Sequence, residues 1–246
     1  MSKLTWDKVG ERYFETGTDK GVLYLLKYGK YSSGVAWNGF IGVNENPSGA
    51  ESTALYADNI KYLNLLSNEE FGATIEAYTY PDEFKDCLGE VEIAVGAFIG
   101  QQRRHHFGLC YRTLVGNDED GTDFGYKIHL VFDCIASPTD KSYSTINDTP
   151  DAVTFSWDVS TNQVVIEGYK PTATLVLESQ KFKESGLFNV LKALEDILYG
   201  TDNTESKFPT VAEIMETYLL QMYIRDSGND VLLDSSGNRI QSRVFD

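Results

Sequence analysis

Residues 153–177, VTFSWDVSTNQVVIEGYKPTATLVL, carry the pattern that decides the fold. Val153, Phe155, Trp157 and Val159 alternate with Thr154, Ser156 and Asp158, the period of a strand with one buried and one wet face. Ser160, Thr161 and Asn162 interrupt the alternation with turn residues. Val164, Ile166, Ala173, Leu175 and Leu177 then restore an apolar face, with Thr174 and Glu178 opposite. Gly168 and Pro171 place a bulge or bend between them, because both weaken a regular ladder. The stretch therefore predicts a long hairpin. A hairpin cannot bury an apolar face by itself, so the rest of the chain must supply a second sheet or a helix.

Working outward, Phe71–Tyr80 alternates cleanly: Phe71, Ala73, Ile75 and Ala77 face one way, Thr74, Glu76, Tyr78 and Tyr80 the other. Pro81 ends that strand, and PDEFKDCLG reads as a compact connector. Val91–Ile99 reads as one strand, and Phe107–Val115 with Tyr126–Ala136 as a second long hairpin whose tip is GNDEDGTD, Gly116–Asp123. Upstream, Gly21–Tyr28 and Trp37–Val43 are strand candidates. Asn44–Ser52 is a loop by its Asn, Pro, Ser and Gly content. Leu55–Leu66 leaves short strands and a turn of helix both open. Ser137–Asp151 is a long polar loop.

Leu187, Val190, Leu191, Leu194, Ile197 and Leu198 recur at helical spacing, with Ser185 as N-cap and Gly200 as stop. Thr210 and Glu213 have capping-box spacing for a shorter second helix. Two turn signals, Asp226–Asn229 and Asp234–Asn238, flank a short strand candidate near the C-terminus. The expected fold is mainly β: a two-sheet antiparallel β-sandwich or barrel with one flanking α-helix. Residues 1–215 form that domain, and 216–246 a strand-and-turn extension packed on it.

The chain has 246 residues with 21 basic and 37 acidic side chains, a formal charge of −16 and a pI near 4.5. Such a surface repels nucleic-acid phosphate and anionic membrane instead of binding it. Three cysteines, Cys87, Cys110 and Cys134, argue for a reducing compartment and against a secreted disulfide scaffold. No stretch has the length or apolarity of a signal peptide or a membrane span, so a soluble protein made in a cytoplasm is expected.

Chemistry is sparse. His105 and His106 are adjacent on a strand and point to opposite faces. His106 and Cys110 share a face but lie about 13 Å apart at ~3.3 Å per residue, so a zinc site of His106, Cys110 and Cys134 needs sharp distortion. Aligning Gly121 with the sixth position of an EF-hand loop puts Gly116 first and Lys127 twelfth, where acids are required. Phosphate-loop, dinucleotide, nucleophile-elbow and zincin motifs do not occur. Arg103-Arg104-His105-His106 is the one basic cluster; on so acidic a chain an ion pair, within or between chains, suits it better than nucleic acid. Asp123 and Asp133 are the least poor candidates for a hydrolytic carboxylate pair, with no supporting spacing. No catalytic residue, cofactor or metal is expected.

The run ALYADNIKYLNLLSNEEFGATIEAYTYPDEFKDCLG (Ala54–Gly89) resembles the major tail protein, or tail tube protein, family of long-tailed non-contractile bacteriophages, mostly of Gram-positive hosts. VTFSWDVSTN (Val153–Asn162), GYKPTATLVLES (Gly168–Ser179) and the helix closing in LYG (Leu198–Gly200) are similar to the same family. The likeness covers most of residues 1–215 and lies in the order of the blocks. It implies a structural virion protein: hexameric rings stacked into a tube around a tape-measure protein, joined by terminator and distal tail proteins, with DNA only in passing and no membrane. An acidic bore would let the duplex slide, and Glu76 and Glu92 are the candidate lumen residues. The candidate arms to the next subunit or ring are Glu45, Asn46, Pro47, Ser48, Gly49 and Glu51 in the first loop, and Pro138, Asp140, Lys141 and Asp148 in the second. The alternative is a carbohydrate- or receptor-binding β-sandwich module of a tail tip or baseplate.

Overall fold

A single long strand, not a hairpin, organises the chain. The computed structural model describes residues 4–143, 145 and 152–222, the last five as backbone only. In chain order the elements begin with β1 (Phe14–Lys27), β2 (Lys30–Tyr31), β3 (Val35–Ala36), β4 (Phe40–Glu45), β5 (Ser48–Gly49), β6 (Ser52–Ala57), β7 (Ile60–Leu66), β8 (Glu69–Glu70) and β9 (Gly72–Ala77). Next come α1 (Phe84–Leu88), β10 (Val91–Ala94), β11 (Ala97–Ile99), β12 (His106–Asn117) and β13 (Gly121–Pro138). β14 (Phe155–Thr161), β15 (Thr174–Glu178), α2 (Ser179–Glu184), α3 (Phe188–Tyr199) and α4 (Val211–Met222) complete the described chain.

β13 pairs along one edge with β12, as the second expected hairpin requires. Its other edge is shared. Lys127–Val131 pair with β15 and Cys134–Pro138 with β14. Both partners are antiparallel to β13, so they run in the same direction as each other and cannot form the hairpin expected over 153–177. The chain between them turns through a lone antiparallel bridge, Val164 to Thr172, with Gly168 at φ +80°. The bend signalled by Gly168 and Pro171 is real, but both arms pair with β13 and not with each other.

The split happens at Asp133. Its φ of +47° lies in the left-handed region, and the β12–β13 register slips beside it. An extra residue at a bulge reverses which face each later side chain takes. Ile128, Leu130 and Phe132 therefore face one core, whereas Cys134 and Ala136 face the other. The first part of the sheet carries β15, and the second carries β14, β9 and β4 in that order. This second part curls back until Phe40, at the start of β4, packs beside Gly21 of β1, where the Trp37 N–H continues the β1–β3 pairing by donating to the Gly21 carbonyl at 2.8 Å. A Cβ on Gly21 would meet the Phe40 ring at 3.0 Å, so the small residue permits the approach.

Inside the curl sits an aromatic core of Trp37, Phe84, Phe107 and Trp157 with Leu23, Leu109 and Ile75. α1, inside the expected connector, contributes Phe84 and Cys87 to it and ends at Gly89, φ +74°. On the opposite face, Val190, Leu191, Leu194 and Leu198 of α3 cover Val22, Tyr24, Ile128, Leu130 and Phe132. β1, β12 and β13 are thus covered on both sides, which is why they read as apolar runs and not as alternation. The result is the mainly β, sandwich-like fold expected, formed from one continuous antiparallel sheet with several short helices in place of one.

The expected helix boundaries hold in part. Gly200 closes α3, and the Thr210–Glu213 capping box is present: Glu213 N donates to Thr210 Oγ1 at 3.2 Å and Thr210 N to Glu213 Oε2 at 2.8 Å. Ser185 is not the N-cap of α3. It closes α2, its hydroxyl donating to the Lys181 carbonyl at 2.7 Å, and Leu187 takes the N-cap position without a side-chain bond. α4 runs through the expected division at 215/216. The strand and turns expected between Asp226 and Asn238 lie outside the described residues.

Candidate functional site: a projecting arm

Asn44–Ser52 is not a free loop, and Leu55–Leu66 is not a helix turn. β4 extends to Glu45; β5 then pairs with β8, and β6 with β7. Residues 46–71 are one long hairpin leaving the sheet between β4 and β9. Its tip is Asp58-Asn59, with φ +51° and +63°, the two left-handed positions that a tight hairpin turn demands. Pro47 precedes β5, Ser48 and Gly49 lie within it, and Glu51 N donates to Ser67 Oγ at 2.9 Å.

The arm is exposed on both faces. By register Leu55, Leu63 and Leu65 share one face with Ile60, which lies beyond the bulge at Tyr62, and Tyr56, Tyr62 and Leu66 share the other. Ile60, Tyr62 and Leu66 are 67%, 70% and 72% exposed. A β-hairpin with apolar side chains on both sides leaves an extended apolar surface in water. The same two-sided apolarity erased the period-two contrast and hid the strands from sequence reading. The Asp-Asn pair between two apolar runs was the usable signal.

The root of the arm is fixed firmly. Asn46 N donates to the Gly72 carbonyl at 2.9 Å and Gln163 Nε2 to the Glu69 carbonyl at 2.9 Å. Tyr111 OH donates to Glu45 Oε1 at 2.7 Å, and the Tyr111 ring stacks on His129 at 4.6 Å with a 1° interplanar angle. His129 Nε2 meets Thr113 Oγ1 at 2.9 Å. Burial pushes the His129 pKa below its ordinary value, while Glu45 nearby pulls it up. Sequence reading placed Glu45 in the arm; the structure makes it the anchor.

The two candidate lumen acids sit on different elements. Glu76 is on the outer face of the β4–β9–β14 wall, where Asn44 Nδ2 donates to its Oε1 at 3.3 Å. Thr74 and Asp158 share that face, their side chains hydrogen-bonded at 2.8 Å. Glu92 belongs to a second small projection. Val91–Ile99 is not one strand but a hairpin, β10–β11, turning at Gly96 (φ +77°), and Glu92 Oε1 accepts the Gly96 N–H at 2.8 Å. Gly96 breaks a run whose apolar period continues through the turn.

In the second candidate loop, Pro138 is still in β13, opposite Trp157. Asp140 is exposed, and Lys141 folds back with Nζ 4.0 Å from Glu90 and 5.9 Å from the Tyr80 ring centroid. Asp148 lies outside the described residues. The hydrolytic pair fails: Asp123 and Asp133 are ten residues apart on one strand, about 33 Å at ~3.3 Å per residue, where paired carboxylates need about 5–9.5 Å. Cys110 and Cys134 belong to opposite cores, so they share no site. Burial raises all three thiols above their ordinary value, Cys110 to about 12. Among the described residues no group of three or more His, Cys, Asp or Glu is placed to hold a metal ion, and no helix is long and apolar enough to cross a membrane.

An apolar cleft of about 500 Å³ lies between the 164–169 turn and the start of α4, lined by Phe132, Val164, Ile166, Val211 and Met215 among others. No family model matches the chain, and no curated protein matches it.

Proposed function

We propose that this chain is a self-assembling structural protein, the subunit of a phage tail tube of the long-tailed non-contractile kind. The observation that carries the proposal is the arm. The body has two apolar cores and only scattered exposed apolar residues such as Trp6, Tyr28 and Val165 among the described ones, whereas β6 and β7 gather Leu55, Tyr56, Ile60, Tyr62, Leu65 and Leu66 on one exposed element. An anchored, apolar, partnerless hairpin is what a subunit offers a neighbouring copy. The polar outer wall around Glu76 suits a bore that must let DNA pass without adhesion, because acids repel phosphate. The tape-measure, terminator and distal tail proteins would be the partners of such a tube.

The experiment is negative-stain microscopy with light scattering on the purified full chain. Rings or tubes, lost when Leu63 and Leu65 are both replaced by Ser, support the proposal. A strict monomer at every concentration, stabilised by added sugar, overturns it in favour of a tail-tip binding module.

A further inference from the structure

The two ends of β12 carry opposite charge, and each end holds two charges with no ion-pair partner among the described residues. His106 opens the strand and Asn117 closes it, about 36 Å apart at ~3.3 Å per residue. β1 runs beside it with Leu26 against His106 and Phe14 against Gly116, so the neighbouring strand spans the same two poles. At the first pole a cleft of about 390 Å³ is lined by Lys27, Arg103, Arg104, His105, His106 and Asp133, with Leu26, Tyr28 and Gly29. The acids here are spoken for. Asp86 Oδ2 takes Lys27 Nζ at 2.8 Å, and Asp133 Oδ1 lies 2.5 Å from His106 Nδ1. Arg104 Nη1 donates only to the Ala136 carbonyl, at 3.2 Å. Among the described residues neither Arg103 nor Arg104 has a carboxylate partner. They are unpaired cations clustered in one cleft of a chain with net charge −16.

At the far pole the β12–β13 turn presents Asp118, Glu119, Asp120 and Asp123, all exposed. The turn is rigid: Asn117 Oδ1 accepts the N–H of Glu119 at 3.2 Å and of Asp120 at 2.6 Å. Asp118 is used locally, bonded to the Gly10 N–H at 3.0 Å and 3.6 Å from Arg12. The other cations near this pole are matched, Lys8 by Glu11 and Lys127 by Glu15 and Glu178. Glu119 and Asp123 have no cationic partner among the described residues.

We propose that the acidic turn of one copy docks in the Arg103–Arg104 cleft of the next, joining copies head to tail along β12. The partner is a second copy of this chain, because the complementary charges stand at opposite poles of the same molecule. Site and occupant differ, so the contact is heterologous and repeats along a line instead of closing as a two-fold dimer. This contact rests on the self-assembly proposed for the arm and supplies a second, axial interface. Its charges lie at the surface, where the screening length is ~8 Å at physiological salt, so it forms at low salt and loosens at high salt.

The test is a charge swap read by sedimentation and by stack length in negative stain. Arg103→Glu with Arg104→Glu makes both poles acidic; Glu119→Lys with Asp123→Lys reverses the two unpaired acids of the turn and cancels its net negative charge. Each variant alone is expected to lose axial association about tenfold or more. An equimolar mixture of the two, or a single chain carrying all four substitutions, is expected to restore it. All four positions are exposed or half-exposed, and circular dichroism checks each fold. Variants that stack like the parent, or a mixture that fails to restore stacking, overturn the proposal. So does a wild type that forms rings but no salt-sensitive stacks, which leaves the arm's role intact. If Arg103→Glu with Arg104→Glu leaves stacking unchanged and instead abolishes binding of a short DNA duplex, the cleft serves nucleic acid and the head-to-tail contact falls.

Discussion

Two hairpins of this chain have the same backbone and opposite surroundings. β12–β13 is covered on both faces, by the aromatic core on one side and α3 on the other. β6–β7 is covered on neither. Apolar side chains are common to both, so composition does not distinguish a strand that holds a molecule together from one that reaches outside it. What distinguishes them is whether the same chain supplies the cover. In the first hairpin apolar residues stabilise the monomer; in the second they remain available to another molecule.

The sharpest way to break this contrast is to cut into each hairpin's surroundings and compare. Trp157 is fully buried and packs against Trp37, Tyr80, Phe84 and Phe155. Trp157→Ala is expected to cost about 3–5 kcal/mol, the range for a large aromatic removed from a packed core, measured by urea unfolding. Tyr24→Phe is next. The Tyr24 hydroxyl donates to the Leu198 carbonyl at 2.5 Å in the buried seam between sheet and α3. Losing it strands that carbonyl and costs about 1–2 kcal/mol.

The body also has an alkaline limit that the arm does not share. Burial raises Tyr31 from 10.0 to about 12 and Cys110 from 9.0 to about 12. Both keep their protons longer in the folded than in the unfolded chain. Their contribution is therefore complete below the unfolded values and is lost as pH rises through about 12. Unfolding midpoints measured across that window should fall steadily, and replacing residues 52–66 by a short Gly-Ser turn should leave the profile unchanged.

On the arm, Leu63→Ser with Leu65→Ser is expected to shift folding stability by no more than about 0.5 kcal/mol per site, as for exposed positions, while abolishing rings. A large loss of stability would show that the arm is covered by its own chain and would erase the contrast. Smallest of all, Glu76→Lys should leave folding within about 0.5 kcal/mol, yet slow genome ejection from assembled particles if the β4–β9–β14 wall faces the bore. Normal ejection removes that assignment.

The strands and helices that bury one face were readable from sequence. β9 and β14 show alternation because core lies on one side and water on the other, and α3 shows its helical stripe for the same reason. Three features were not readable, each for a physical cause. The pairing of 153–177 depends on Asp133, where one left-handed residue switches faces, and no local pattern marks that switch. The arm hides because both its faces are apolar. The β10–β11 turn hides because Val95-Gly96 continues the apolar alternation of its flanks. As for the candidate site residues, Ser48, Gly49 and Glu51 do lie on a projecting element, but its apolar surface begins where the expected loop ended.

β13 runs the length of the molecule and is bonded along both edges to three other strands. Its ladder bonds stand across the strand axis, so a pull along that axis on β13 at one end and on a neighbouring strand at the other shears many of them at once instead of peeling them singly. Tension along this axis thus meets the stiffest direction the subunit has. Force spectroscopy pulling along β13 should meet a higher rupture force than pulling the arm away from its root, where the bonds of β5–β8 open one after another.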